Sequence, residues 1–236
     1  MTSAAESSVQ VAVRIRPLNG EEMSISGTHH IRGSSATQLQ AGEDNVFNFD
    51  YVFGHETEQV SIYEDCVLNL VHAAFEGFNC TVLAYGQTGS GKTFTMGSSS
   101  SLYSDYPNAD GIIPRCVRNI FDIIEQHQLV DSRRRTKVSV QFLEIYGEDI
   151  IDLLDVVRSS RITIHETPLG EVYVTGATEL EVNSAEHMMR ALDRGTQHRT
   201  TAATKMNQTS SRSHGKQSFT QHKVSVSFLN DEYTVL

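Results

Sequence analysis

Apolar and polar positions alternate over VQVAVRI, which puts Val9, Val11, Val13 and Ile15 on one face and predicts a strand ended by Pro17. VFNFDYVF, residues 46–53, predicts a second short strand. From Thr57 to Phe75 the period changes. Val60, Tyr63, Val67, Leu70, Val71 and Ala74 recur at helical spacing, and Gly77 is placed to stop that helix. TVLAY, residues 81–85, is a short apolar run of the kind a buried parallel strand shows. A Ser/Gly/Asn/Asp-rich loop over 97–111 precedes a helix with Pro114 near its start and Val117, Ile120, Phe121 and Ile124 on one stripe.

KVSVQFLEIY alternates again, with Val138, Val140 and Phe142 on one side, and ITIHETPLGEVYV predicts a hairpin around Pro168 and Gly170. Asn183 with Glu186 reads as a capping box opening a helix through about Arg199. In EDIIDLLD, residues Ile150, Ile151, Leu153 and Leu154 fit a short helical turn, with Glu144 and Asp149 as solvated carboxylates and not an acid/base pair. Strands alternating with helices, without repeat or internal linker, predict an α/β layered sheet.

Composition narrows this little. The 236 residues suffice for one large domain or two small ones, and 39% hydrophobic with 20% charged residues is ordinary for a globular chain. A formal charge of −10 argues against nucleic acid or an anionic membrane as partner. Arg133, Arg134, Arg135 and Lys137 form one short basic run, read as a solvated loop. Cys66, Cys80 and Cys116 are odd in number and form no C-x-x-C pair, which favours a reducing compartment. The ten histidines show no metal-ligand spacing. The opening MTSAAESS, residues 1–8, is polar and expected to be disordered, and no stretch approaches the ~20 apolar residues of a membrane span. The reading is cytoplasmic.

The chemistry concentrates in YGQTGSGKTFTMG. Gly86, Gln87, Thr88, Gly89, Ser90, Gly91, Lys92 and Thr93 fit G-x-x-x-x-G-K-[ST], the phosphate-binding loop. Glycines let the backbone curl so that several N–H groups point at phosphate oxygens, and the following helix turns its positive end towards them. Lys92 supplies a point charge for the β- and γ-phosphates, and the Thr93 hydroxyl can ligate Mg²⁺. A Gly/Ser turn could match by chance; here the loop follows an apolar strand and precedes helix-compatible residues, as the motif requires.

With that loop, RIRP at 14–17, GIIPR at 111–115, EIYGEDIIDLLD at 144–155 and NQTSSRSH at 207–214 make the chain resemble the kinesin motor domain, and within it the kinesin-4 branch. The likeness runs from about Val9 to His214. It implies a three-layer P-loop NTPase fold with a central, mostly parallel sheet. It also implies ATP and Mg²⁺ as ligands, a microtubule (tubulin) as partner, a cytoskeletal location, and dimerisation through a coiled-coil stalk outside these residues. By the same likeness Arg14 and Pro17 border the base and ribose, and Phe94 stacks on adenine. Asn207, Ser210, Ser211, Arg212, Ser213 and His214 match the family's first switch loop. There Ser211 reaches Mg²⁺ and the γ-phosphate, Ser210 and Asn207 organise the attacking water or the phosphate, and Arg212 awaits an acidic partner. A Ser-rich flexible loop is the plain alternative for SSRSH taken alone.

After His214 the family continues into an apolar strand and then a D-x-x-G-x-E loop, the second switch. Here GKQSFTQHKVSVSFLNDEYTVL follows, and no D-x-x-G occurs. GKQSFTQH looks too polar for a buried strand, whereas KVSVSF could form one. Residues 9–214 are therefore expected to be a partial motor domain and 215–236 a divergent tail. Such a chain would lack the second switch, interior strands, the main microtubule-binding helices and the neck. Two readings follow: an ATP-hydrolysing motor in part, or a non-catalytic nucleotide-binding fragment or regulatory isoform. An unrelated NTPase sharing only the loop is disfavoured by RIRP and SSRSH.

Overall fold

The computed structural model describes residues 9–26, 31–97, 110–133, 135–146, 149–155, 161–168, 172–205, 213–221 and 224–230, with backbone alone beyond residue 199. The chain forms two compact units, Met1–Ile62 and Tyr63–Leu236. The expectation for residues 1–8 lies outside the described residues.

In the first unit β1 (Ala12–Arg14) is shorter than its alternating pattern and leads into α1 (Gly20–Ser26). Asn19 caps α1: its Oδ1 accepts from Glu22 N at 2.8 Å while Asn19 N donates to Glu22 Oε2 at 2.9 Å. This is a capping box with Asn in the Ser/Thr role. Next, β2 (Ile31–Gly33), β3 (Gln38–Ala41) and β4 (Asn45–Asn48) form a three-stranded meander. The predicted strand over 46–53 splits, and β5 (Tyr51–Phe53) pairs parallel with β1. The Asp50 carboxylate, accepting from Val11 N at 2.7 Å, marks where the backbone leaves one sheet for the other.

The predicted helix over 57–75 is two: α2 (Gln59–Cys66) and α3 (Leu68–Phe75). The break is slight. Val67, at φ −119°, keeps bonds from its N to Tyr63 O and from Val71 N to its own O, and its side chain is buried. In the second unit follow β6 (Cys80–Ala84), α4 (Lys92–Met96) and α5 (Ile112–Val130), the last with Pro114 in its first turn. β7 (Val138–Tyr146) is followed by β8 (Asp149–Asp152), so Ile150 and Ile151 of EDIIDLLD lie on a strand and not in a helical turn, with Leu153 and Leu154 just beyond its end. The hairpin predicted around Pro168 is present as β9 (Thr163–Glu166) and β10 (Val172–Thr175). β11 (Leu180–Val182) precedes α6 (Ala185–Lys205). Its cap is Ser184, whose Oγ accepts from His187 N at 3.1 Å, while Glu186 pairs instead with Arg190 one turn on.

β12 (Ser213–Gln221) and β13 (Val224–Asn230) complete a six-stranded sheet of order β11-β7-β12-β13-β6, with β8 also on β7. The α/β class stands, but the sheet is not mostly parallel. Its single parallel pairing among the described residues joins β13 to β6; β7–β8, β7–β11, β7–β12 and β12–β13 are antiparallel. Connection length accounts for part of this: β7–β8 and β12–β13 are each joined by two residues and must run opposite ways, while the parallel pair β6 and β13 is far apart in sequence, as a crossover requires. The expectation that GKQSFTQH is no interior strand is also overturned, because the backbone of residues 215–221 lies between β7 and β13. Backbone ladders on both sides set that position, and side-chain polarity did not reveal it.

The helices pack on this sheet, α3 on β6 and β13, α6 on β7 and β11, and both touch α5. Val71, Cys116, Val117, Val140, Phe142, Leu153 and Met188 are almost wholly buried. At about 1.5–3 kcal/mol for each large apolar side chain removed from water, this core fixes the strand ends from which the site loops leave.

Candidate nucleotide-binding site

The apolar strand β6 delivers the chain to a loop that only glycine can make. Gly86, Gly89 and Gly91 have φ of 151°, 79° and 97°, a region costly for residues with a β-carbon. A β-carbon on Gly86 would stand 2.6 Å from Ser90 Oγ, inside the turn. Ser90 N donates to Gln87 O at 3.1 Å and closes the loop on itself. Thr95 N to Gly91 O at 2.9 Å then starts α4, whose cap Gly91 offers no side-chain acceptor to the first turn. Met96, fully buried, pins the far end of α4, which rests on β6, β13 and α5.

Lys92 spans the loop, its Nζ donating to Gly86 O at 2.6 Å and to Gln87 O at 3.0 Å. An ammonium held by two carbonyls stands ready for stronger acceptors, and phosphate oxygens are such acceptors. Gln87, Thr88, Gly89 and Thr93 are exposed, and Phe94 keeps 56% of its surface open. The turn, the cation and the uncapped amides fit a polyphosphate, and the exposed Thr93 hydroxyl could ligate a cation bound with it.

Arg14 and Pro17 belong to the first unit. Arg14 ends β1, and its Nη1 donates to Gln59 Oε1 at 2.8 Å, with burial pulling the guanidinium pKa down. Pro17 O accepts from Arg16 Nη1 at 3.0 Å. The predicted switch residues Asn207, Ser210, Ser211 and Arg212 lie outside the described residues. Their flanks do not: α6 ends at Lys205 and β12 begins at Ser213.

Sequence reasoning misplaced one carboxylate. Glu144 is not solvated but 4% exposed, and its Oε1 accepts from Arg199 Nε at 3.1 Å. The cue was available: a lone acid inside the apolar run QFLEIY of a central strand needs a buried partner. Asp149 is exposed as expected, whereas Asp152 accepts from the amides of Leu154, Asp155 and Thr178 and ends β8. The three cysteines are free thiols. Burial pushes Cys116 and Cys80 up, and burial followed by Asp65 pushes Cys66 up to about 11, which makes all three poor nucleophiles.

Residues 12–226 match the kinesin motor domain family. The chain is 41% identical over 228 residues to mouse "Kinesin-like protein KIF21B", covering 91% of this chain and 14% of that protein. It is 42% identical over 223 residues to human "Kinesin-like protein KIF21A", covering 89% of this chain and 13% of that protein. It is 44% identical over 216 residues to "Kinesin-related protein 8" of Dictyostelium discoideum, covering 87% and 11%. Among solved structures, a fast kinesin described for its ATPase mechanism and interactions with microtubules superposes with a TM-score of 0.85 at 31% identity, covering 95% of this chain and 65% of that one. The chain thus spans about a seventh of the length of the curated relatives it matches. No helix among the described residues is long and apolar enough to cross a membrane.

Proposed function

Because the chain belongs to the kinesin motor domain family, we propose that it is the ATP-binding part of a microtubule motor, with hydrolysis coupled to movement in the whole protein. The observation that carries this is the loop itself: Lys92 Nζ bridging the Gly86 and Gln87 carbonyls across a turn of three left-handed glycines. In this reading Gly86 to Gly91 bind the phosphates through backbone amides, and Lys92 exchanges its loop carbonyls for β- and γ-phosphate oxygens. Phe94 carries the adenine, and Arg14 and Pro17 border the base and ribose. Mg²⁺, when bound, neutralises the phosphate charge; Thr93 and Ser211 supply its protein ligands. Asn207, Ser210, Ser211 and Arg212 sense the γ-phosphate, an ordering switch of the kind nucleotide-driven machines use. Microtubule binding and dimerisation belong to the larger protein, and the location proposed is the cytoplasmic cytoskeleton.

The second reading is a non-catalytic nucleotide-binding fragment or regulatory isoform. Both readings share the loop. Mg-ATP should raise the thermal midpoint of the wild-type chain, and Lys92→Ala should abolish the rise. Equal stabilisation of the variant would remove the assignment.

A further inference from the structure

Arg14 ends β1 in register with Phe53, the last residue of β5, and Ile15 N donates to Phe53 O at 2.8 Å. A tight turn then redirects the chain, with Thr57 N bonded to Gly54 O at 3.1 Å, and α2 begins at Gln59. The turn returns a side chain 45 residues away in sequence to the end of β1, where Arg14 Nη1 donates to Gln59 Oε1 at 2.8 Å. The two partners differ in burial. Gln59 is 3% exposed, deep for a polar residue at the start of a helix, whereas Arg14 is half-buried. They differ from the other arginine contacts in charge as well. Arg16 meets the carboxylate of Glu22 and Arg199 that of Glu144, while Gln59 offers Arg14 a neutral acceptor. A carboxamide aims a guanidinium without cancelling its charge.

We propose that Gln59 is a positioning residue for the nucleoside half of the nucleotide, fixing through its bond to Nη1 the direction in which Arg14 presents its guanidinium. The inference rests on the reading of Arg14 as a residue that borders the base and ribose. The guanidinium is planar, so one anchored N–H sets the direction of the donors beside it. Without that anchor a ligand must order the long arginine side chain as it binds, and affinity falls by the entropy lost. Gln59 suits the task because burial holds its own rotamer. The triphosphate, assigned to the loop from Gly86 to Thr93, does not draw on this bond.

Isothermal titration of the 236-residue chain with Mg-ATP and with magnesium triphosphate tests this on the wild type, Gln59→Leu, Arg14→Met and the double variant. Leucine keeps the buried volume at position 59 and removes the acceptor. Gln59→Leu should weaken Mg-ATP about fivefold to tenfold while magnesium triphosphate stays within about twofold. Arg14→Met should weaken Mg-ATP at least as much. In the Arg14→Met background, Gln59→Leu should cost less than about twofold more, because no guanidinium is left to aim. A residue that merely supported the fold would lower affinity by the same factor in either background. Unchanged Mg-ATP affinity in Gln59→Leu, an equal loss for both ligands (a variant that fails to fold and binds neither included), or full additivity in the double variant each overturn the proposal. If the wild type binds no Mg-ATP, or Arg14→Met binds it as the wild type does, the reading of Arg14 and this inference fall together. If Arg14→Met loses affinity and Gln59→Leu does not, this inference falls alone.

Discussion

Gly97 and Gly111 meet backbone against backbone: a β-carbon on Gly97 would stand 2.6 Å from the Gly111 nitrogen and 3.1 Å from Pro114 Cδ. Gly97 also ends α4 in the left-handed conformation, at φ 72°, with its N–H returned to Thr93 O at 2.9 Å. Gly111 is the cap of α5. The short helix behind the phosphate loop is therefore held at its far end by the start of a long one.

Gly111→Ala tests that contact. The φ of Gly111 is −79°, so backbone strain is small and the cost is steric, against backbone atoms that cannot swing away. Overpacking of this kind costs about 1–3 kcal/mol, or roughly 2–4 °C of thermal midpoint per kcal/mol in a chain of this size. The melting temperature should fall, and Mg-ATP affinity with it, since α4 carries Lys92 and Thr93. A variant that melts and binds like wild type would show that α4 does not depend on the contact.

Phe94→Ala separates the base from the phosphates. The ring is 56% exposed, so little packing is lost on truncation. If it stacks on adenine, ATP affinity falls by about 0.5–1.5 kcal/mol while inorganic triphosphate binds as before. Isothermal titration with both ligands decides between stacking and support of α4, because support would weaken both equally.

The turn of the G-x-x-x-x-G-K-T stretch was legible because its geometry is local: glycines at fixed spacing and a following lysine dictate backbone and charge together. Glu144 and GKQSFTQH were not legible for the opposite reason. Whether an acid inside QFLEIY is solvated depends on Arg199, 55 residues away. Whether a polar stretch becomes an interior strand depends on ladders with β7 and β13. The cap of α6 slipped by one residue because Asn183 and Ser184 both carry capping side chains, and only backbone geometry selects Ser184. Burial, pairing partner and direction are long-range properties, and no window of sequence contains them.

Acid titration of the first unit has a defined sign. Arg16 forks onto Glu22, with Nη1 to Oε2 at 2.7 Å and Nη2 to Oε1 at 2.5 Å, and the Asn19 amide adds a third bond. Those contacts, Arg16 first, hold the Glu22 carboxyl at about 2 against an ordinary 4.5. A carboxyl depressed on folding stabilises the fold above its unfolded value, so this contribution is complete above about pH 4.5 and is lost as pH falls through about 2. Carboxyl NMR should place the Glu22 midpoint near 2 in the wild-type chain and return it most of the way to 4.5 in Arg16→Gln. A midpoint unmoved by that substitution would assign the shift to the helix cap alone.

Turnover is the sharpest discriminator between the two readings of the chain. Phosphoryl transfer asks little covalent chemistry of a protein; it depends on positioning the attacking water and on stabilising charge. In the proposed reading the G-x-x-x-x-G-K-T loop would supply one side of that arrangement, through Lys92 and Thr93. The resemblance places the other side in a D-x-x-G-x-E loop, whose glycine amide meets the γ-phosphate and whose glutamate pairs with Arg212. These 236 residues contain no D-x-x-G. Even with β12 and β13 in the sheet, the water would be held from one side only. The purified 236-residue polypeptide should therefore bind Mg-ATP yet release phosphate orders of magnitude more slowly than a complete motor of the family. Microtubules should accelerate it little, because the elements that feel the lattice lie, by the same resemblance, beyond the second switch. Phosphate release assayed with and without microtubules checks both statements. Fast, microtubule-stimulated release would mean that the stretch after His214 provides the second switch in a form its sequence does not announce.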